Sequence, residues 1–555
     1  DIKRLTPRDM ACFLPKLRNA NLPLAAHANF SGTGYSLNAS NISISSFDRS
    51  LSLRASASVE KHRHLAWRAD IKELKIGKSA AALAYQTATG KQVPAVLSRL
   101  GDIVLHAKGH GMGGDASLSA SLSTAIGSVK MEAARRNTLA SAHIETRNLN
   151  IGQLLEGKNV GALSATIDAK GKAKDDVAVK GDIYDINYNG YTYRNIKLSA
   201  SYLKKVIDGK LSIDDPNARI NVSALLDTRG RLPHLKMDAL VKSLSPSALN
   251  LTHKWNGASF AADINCDIKG NNINNADGEL RVNGFTMQEK DSVYSIDNIH
   301  VVTGYEAGNH FLNLRSDFGS IDLSGHFSYN TIARSVLNQI ASKLPTVPGL
   351  AHKPQSDYND FTINATLHDT KWMERLLGVP LELHSTLNLS GEIDDRGSDI
   401  DLWCDVPEFS YNGARYKDTF VNIESPGDTL KADIRVKKVM AKGKALSIKL
   451  NAGAHNNHLN TSLTFNNNER HPLMGVINAS TVFAKSASGA STAYVDVLES
   501  SATIGDTIWH VSPSRIVYSK NHLDVDGFRV SHGEQFIAVD GTATTDHADS
   551  LAISL

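Results

Sequence analysis

The sequence predicts an all-β fold, a long repetitive antiparallel β-sheet with short helical insertions, and three observations carry that prediction. The first is an internal repeat. Tyr416-Lys-Asp-Thr-Phe-Val421-Asn-Ile423 has counterparts at Tyr294, followed by Ile299 and Val301, and at Tyr518, followed by Leu523 and Val525. A shorter version opens at Tyr193 with Ile196 and Leu198. The tyrosines recur about every 100 residues, and the longer middle interval holds a helical insertion of roughly 20 residues, which a loop tolerates. The second is alternation: Ile-x-Leu and Val-x-Ile runs put apolar side chains on one face of a pleated strand and polar ones on the other. The third is punctuation by Asn189-Gly190, Asp208-Gly209, Asn283-Gly284, Asn412-Gly413, Asp526-Gly527 and Asp540-Gly541, pairs that accept the positive φ of tight hairpin turns.

The elements follow in order. Thr6-Pro7-Arg8-Asp9 reads as a helix start, continued by Met10, Phe13 and Leu14 and limited by Pro15. From His27 to Ile76 the runs Leu37/Ala39, Ile42/Ile44, Leu51 through Val59 and Ala69/Ile71 predict strands whose Ser- and Ala-rich face packs shallowly. Residues 78–100 read as a short helix or loop. Strands resume with Ile103, Leu105 and Ala107, then Leu118, Ala120 and Leu122, then Ile144 and Leu149. Small helical turns are expected at 152–155, 245–249 and 371–377, each before a new run of strands. Ile332, Val336, Ile340 and Leu344 fall four apart and mark the longest amphipathic helix, 331–344, with Thr331 to cap it and Pro345 to stop it. It either covers a local apolar patch or lies across an open end or side of the sheet. Alternation is cleanest from Leu381 through Leu383, Ser385, Leu387, Leu389 and Gly391 to Ile393.

Composition bounds the function. At 555 residues the chain has the length of about three or four ordinary domains, although a repeat array can form one body. Its 60 basic and 57 acidic residues nearly cancel, so it has no basic footprint for nucleic acid or for an anionic membrane surface. Cys12, Cys266 and Cys404 are far apart and odd in number, which predicts buried strand thiols and no disulfide framework. No apolar run reaches the ~20 residues of a membrane-spanning helix, and no signal peptide is recognisable. The start at Asp1 and the alternating end at Leu555 suggest a piece of a longer protein.

Catalytic motifs are incomplete. Gly77-Lys78-Ser79 has Lys72 where a phosphate loop needs its first glycine. Gly109-His-Gly111-Met-Gly113-Gly114 leads into a strand, so no helix N-terminus awaits an anion. Glu60, His62 and His64 alternate without a further ligand nearby, which favours a solvated strand face over a metal site. Asp214-Asp215-Pro216 and Asp394-Asp395 read as solvated turn aspartates, and no Gly-x-Ser-x-Gly elbow occurs. We expect no enzyme, no cofactor and no metal. What remains is a long apolar sheet face that must be buried against something. Either two sheets close on each other, or one sheet curls into a trough that keeps its apolar lining for a ligand. About 40 strands stacked at ~4.8 Å would extend up to roughly 190 Å, a length suited to chain-like apolar cargo.

The Tyr-then-aliphatic units, the leucine run ending at Gly391, the small helical turns, and Trp509-His-Val-Ser-Pro513-Ser-Arg-Ile516 followed by Asp526-Gly-Phe528 and Gln535-Phe-Ile-Ala-Val-Asp-Gly541 resemble the TamB branch of the AsmA-like envelope proteins. The similarity covers most of the chain and is strongest over 150–555. It implies a repeating β-groove, a taco-like antiparallel sheet curled along its length, in the periplasm of a Gram-negative cell envelope. Such proteins are anchored in the inner membrane by an N-terminal helix and meet an outer-membrane barrel of the Omp85 type through a C-terminal domain; neither anchor is recognisable in this sequence. The implied role is bridge-like transport of phospholipids, acyl chains along the groove and head groups in water. The implied lining is Ile196, Leu198, Leu211, Ile213, Ile220, Val222, Leu226, Leu381, Leu383, Leu387, Leu389, Ile400, Leu402, Val421, Ile423, Ile434, Val436, Leu446, Ile448 and Leu450. The repeats divide the chain into an N-terminal region 1–150 and units 151–250, 251–370 with the insertion 331–344, 371–470 and 471–555. Two other readings stay open: a scaffold for outer-membrane protein assembly and secretion, whose edge strands template client strands, and a structural surface repeat with a closed core.

Overall fold

The computed structural model describes residues 1–12, 21–61, 63–89, 91–155, 157, 159–290, 292–347, 357–485, 491–520, 522–544 and 550–555. Its 36 strands belong to one antiparallel sheet, joined by a few short helices, so the chain is all-β. It divides into two units, Asp1–Asp267 with Gly284–Ser295, and Ile268–Asn283 with Ile296–Leu555. Through most of each unit a strand pairs with the next one in sequence, as Ser36–Ser46 does with Leu51–Lys61 and Ala414–Glu424 with Leu430–Val439. Near the end the pattern branches, and Leu473–Lys485 pairs with both Ser491–Val497 and Ser500–Ile504.

Only two of the six expected Asn-Gly and Asp-Gly turns are hairpin turns. Asn189-Gly190 (φ 51° and 80°) and Asn412-Gly413 (φ 49° and 77°) turn the chain as the pairs predict. Asp208-Gly209, Asn283-Gly284, Asp526-Gly527 and Asp540-Gly541 lie inside strands. Lys204-Lys205, with φ of 45° and 69°, makes the turn expected beside Asp208. Gly527 (φ 65°) sits where the register slips between Val525 and Phe528, because a bulge also stores an extra residue at positive φ. The tyrosine units differ in the same way. Tyr193, Tyr294 and Tyr416 share one strand with their aliphatic partners, but Tyr518 lies on Ser514–Ser519 and Leu523 on His522–His532.

The helical segments are short. Pro7–Met10 is a 3-10 turn in which the Asp9 carboxylate accepts from the Thr6 N–H at 3.2 Å; Phe13, Leu14 and Pro15 lie outside the described residues. Residues 78–100 contain two helices, Lys78–Thr89 and Ala95–Arg99. Ile151–Leu155 is helical, 245–249 is turns, and Met373–Leu377 is a π-helical turn ended by Gly378 at φ 74°.

Helix Ile332–Lys343 in the second unit sets its apolar stripe on the sheet. Ile332, Val336, Ile340 and Leu344 pack against Leu323, Phe361, Ile393 and Ile400. Thr331 precedes it without capping it, and its hydroxyl donates to the Ser328 carbonyl at 3.3 Å instead. The polar flank is pegged by Asp395, whose carboxylate accepts from Ser335 Oγ at 2.7 Å, the Asn359 N–H at 2.7 Å and Gln339 Nε2 at 3.3 Å. Asp215 plays a similar part in the first unit. Only 1% exposed, it accepts from Tyr191 OH at 2.5 Å and from the backbone N–H groups of Arg194 at 3.0 Å and Asn217 at 2.9 Å. Both aspartates were expected to be solvated; they are acceptors for groups that strand ends leave without ladder partners.

Asp395→Ala should strip the helix of its peg. The expected cost is about 1–3 kcal/mol, with faster amide exchange over 332–343 and unchanged exchange in the first unit. Unchanged exchange over 332–343 would contradict the role given to Asp395.

Candidate functional site

Directly opposed residues of an antiparallel pair share a face, so the strand register shows which side chains line up. In the first unit one row runs Ile44, Leu53, Leu74, Leu105, Leu122, Val129, Thr146, Ala165, Ile183, Ile196, Ile213, Ile220 and Val241. Thr146 is the single polar residue in it, and its hydroxyl accepts from the Ala165 N–H at 3.0 Å. A neighbouring row carries Ile144, Ile167, Gly181, Leu198, Leu211, Val222 and Ala239, and Leu226 lies in another between Ile207 and Leu235.

The second unit repeats the arrangement. Val301, Leu314, Ile321, Ala365, Leu389, Cys404, Val421, Ile434, Leu450, Leu463 and Ile477 form one row. Leu402 and Ile423 pair in the next row on one side, and Val436 with Ile448 in the next row on the other; Leu446 pairs with Lys438 and Leu387 with Leu367. Leu381 and Leu383 reach this face through a different pairing. The expected single strand breaks at 384–386, where the Ser385 hydroxyl donates to the Glu408 carbonyl at 3.1 Å and accepts from its N–H at 2.6 Å. The register slips by one, so Leu383 pairs with Phe409 and Leu381 with Tyr411; a second shift at 417–420 carries the row on through Tyr416 and Lys438 to Leu446, on the face of Ile448 and Leu450.

Burial separates covered from uncovered parts of the face. Ile393 and Ile400, beneath the helix, are 2% and 1% exposed. Leu389 and Leu402, on the same two strands, are only half-buried, as are Val421, Ile423, Ile434, Val436, Leu446, Ile448 and Leu450. In the first unit Ile196, Leu211, Ile213, Ile220, Val222 and Leu226 are half-buried and Leu198 is 38% exposed. Cys404 behaves as one more apolar group, since burial pushes its thiol pKa up and keeps it protonated. Cys266 is shifted the same way, whereas Cys12 is exposed, against the expectation of buried thiols.

The other face is wet. Across the first unit a row runs Asp70, Lys108, Ser119, Glu132, His143, Asp168, Lys180, Ser199, Lys210, Ser223 and Asp238. His143 Nδ1 lies 2.8 Å from the Asp168 carboxylate and Nε2 lies 3.5 Å from Glu145. Asp168, and then Glu145, raise its pKa above the ordinary value.

Alanine-rich strands beyond the stretch expected to pack shallowly, which gives only Trp67, line a cleft of 900 Å³ on the apolar face of the first unit. Ala116, Ala140 and Gly171 share a row with Trp67, and Leu118, Ala133, Ala142 and Ala169 share the next. The Trp67 indole lies over Gly109 and Gly111, where a Cβ on Gly111 would come within 2.6 Å of Nε1. No residue of this cleft was among the expected lining. Its signal was small side chains on one face, which leave volume as well as limiting contact.

The incomplete motifs gain no completing group among the described residues. Lys78 opens a helix, but its N–H faces the Asp102 carboxylate at 3.3 Å, an acid where a phosphate loop holds an anion. Gly113-Gly114 is a turn between strands. Glu60 ends a strand, His64 is in a bend and His62 lies outside the described residues; among the described residues no three His, Cys, Asp or Glu side chains gather as a metal site. No described helix is long and apolar enough to cross a membrane. Comparison with protein-family models and with curated proteins finds no match.

The charge on His143 is testable by NMR titration. Its raised pKa means that any stabilisation from the His143–Asp168 pair is fully present below the ordinary histidine pKa and is lost as pH rises through the folded value. Asp168→Asn should bring the midpoint down toward the ordinary value; an unmoved midpoint would remove Asp168 as the cause.

Proposed function

We propose that this chain is a lipid-conducting β-groove protein, which carries phospholipid with acyl chains on the apolar rows and head groups in water. The observation that carries the reading is the row from Val301 to Ile477. It is continuous from strand to strand, yet of its members only Ala365 is buried. Rows of a closed sandwich core would be buried throughout, as Ile393 and Ile400 are beneath their helix.

The physics suits passive passage. An acyl chain laid on such a row gains about 0.8 kcal/mol for each methylene taken out of water. Successive strands present equivalent groups ~4.8 Å apart, so a chain can advance by one strand and exchange one aliphatic contact for another. Nothing in this needs a catalytic group. The setting follows from the resemblance described above. It is a periplasmic bridge in a Gram-negative envelope, held to the inner membrane and delivering to an Omp85-type barrel through parts of a longer protein.

The test is lipid mass spectrometry on the purified chain beside Leu450→Asp and Ile400→Asp. The parent should carry phospholipid. Leu450→Asp, at a half-buried position, should stay folded and lose most of it. Ile400→Asp should instead unfold its surroundings, since a carboxylate placed in a dry core costs several kcal/mol. A folded parent without lipid, or a Leu450→Asp variant that keeps it, would contradict the reading.

A further inference from the structure

The alanine-floored cleft differs in charge from the other clefts of the first unit. Four basic residues line it, Arg135, Lys170, Lys172 and Lys174, and no acidic one does. A second cleft mixes Lys180, Lys197 and Lys210 with Asp182, Asp238 and Asp263, a third mixes Lys72, Lys108 and Lys130 with Asp70 and Glu132, and a fourth sets Asp102 among Arg49, Lys75 and Lys78. The imbalance arises in a chain whose total charge nearly cancels. Arg135 stands in the row of Ala116 and Ala140 and donates from Nε to the Asn137 carbonyl at 3.1 Å, which holds the guanidinium at the cleft. Lys172 and Lys174 belong to the adjoining hairpin, whose Asp175 and Asp176 do not line the cleft.

We infer that this cleft binds one long-chain carboxylate, its tail over Ala133, Ala142 and Ala169 against Trp67 and its head group on Arg135, with Lys172 and Lys174 beside it. The volume of 900 Å³ falls within the ~300–1,000 Å³ of single-ligand sites. Guanidinium matches a carboxylate in a two-point hydrogen bond that an uncharged ester cannot return. The inference rests on the reading of the apolar face as open to lipid. It adds a place where one free anionic chain is held instead of passed along.

The experiment is titration of the purified full chain with oleate, followed by tryptophan fluorescence, with Trp67→Phe to assign the signal. One oleate should bind per chain. Ala142→Phe, which fills the floor, and Arg135→Glu, an exposed position that leaves the fold intact, should each weaken binding about tenfold or more, a change of about 1.4 kcal/mol. Methyl oleate should bind the parent more weakly by a similar factor and be indifferent to Arg135→Glu. Oleate binding that is absent or untouched by both variants, or methyl oleate binding as well as oleate, would overturn the inference. Phospholipid retained equally by the parent and Ala142→Phe would leave the groove reading standing if oleate fails. Specific oleate binding in a chain that carries no phospholipid would sink the groove reading alone.

Discussion

The structure depends on register. In an antiparallel sheet a residue and the one directly opposite it stand on the same face, so a row persists only while every hairpin keeps its count. From Ile44 to Val241, and again from Val301 to Ile477, the count is kept or restored after each bulge. A one-residue slip has to be answered on the neighbouring strands, as where Ser385 takes over a ladder position and a second shift at 417–420 returns Leu383, through Phe409, Tyr416 and Lys438, to the row of Leu446. Each unit is thereby amphipathic in cross-section, with aliphatics on one face and Asp, Lys and Ser on the other.

Such a face can be closed by a second layer or left open, and the second unit does both. Helix Ile332–Lys343 covers the strand ends around Phe361, Ile393 and Ile400, where side chains are buried. One or two rows away the same strands are half-buried. The helix is pegged by Asp395 as well as packed, which fixes where cover stops. A helix held only by its apolar stripe could slide along equivalent rows; polar groups that must be satisfied when buried hold it in place.

Much of the fold was legible in the sequence because alternation is a local signal. Leu211/Ile213, Ile220/Val222 and Leu446/Ile448/Leu450 announce both strand and face. What escaped is what depends on distant partners. Asp215 and Asp395 look like turn aspartates until Tyr191 and Ser335, far away in sequence, are brought to them. Asn-Gly and Asp-Gly pairs mark positive φ, but hairpin turns and bulges need it alike, so Asn189-Gly190 and Asp526-Gly527 read the same and fold differently. The expected lining was taken from large aliphatics, and the alanine-floored cleft was passed over because volume left by small residues has no pattern of its own.

The central claim is that lipid touches one face of the sheet and not the other. The most direct measurement is photocrosslinking from a benzophenone amino acid placed at Leu450 or at Lys449, neighbours on one strand that alternate between faces. The account predicts a phospholipid adduct from position 450 and none from 449 in cells. Equal adducts from both positions, or none from 450 in a folded protein, would contradict it.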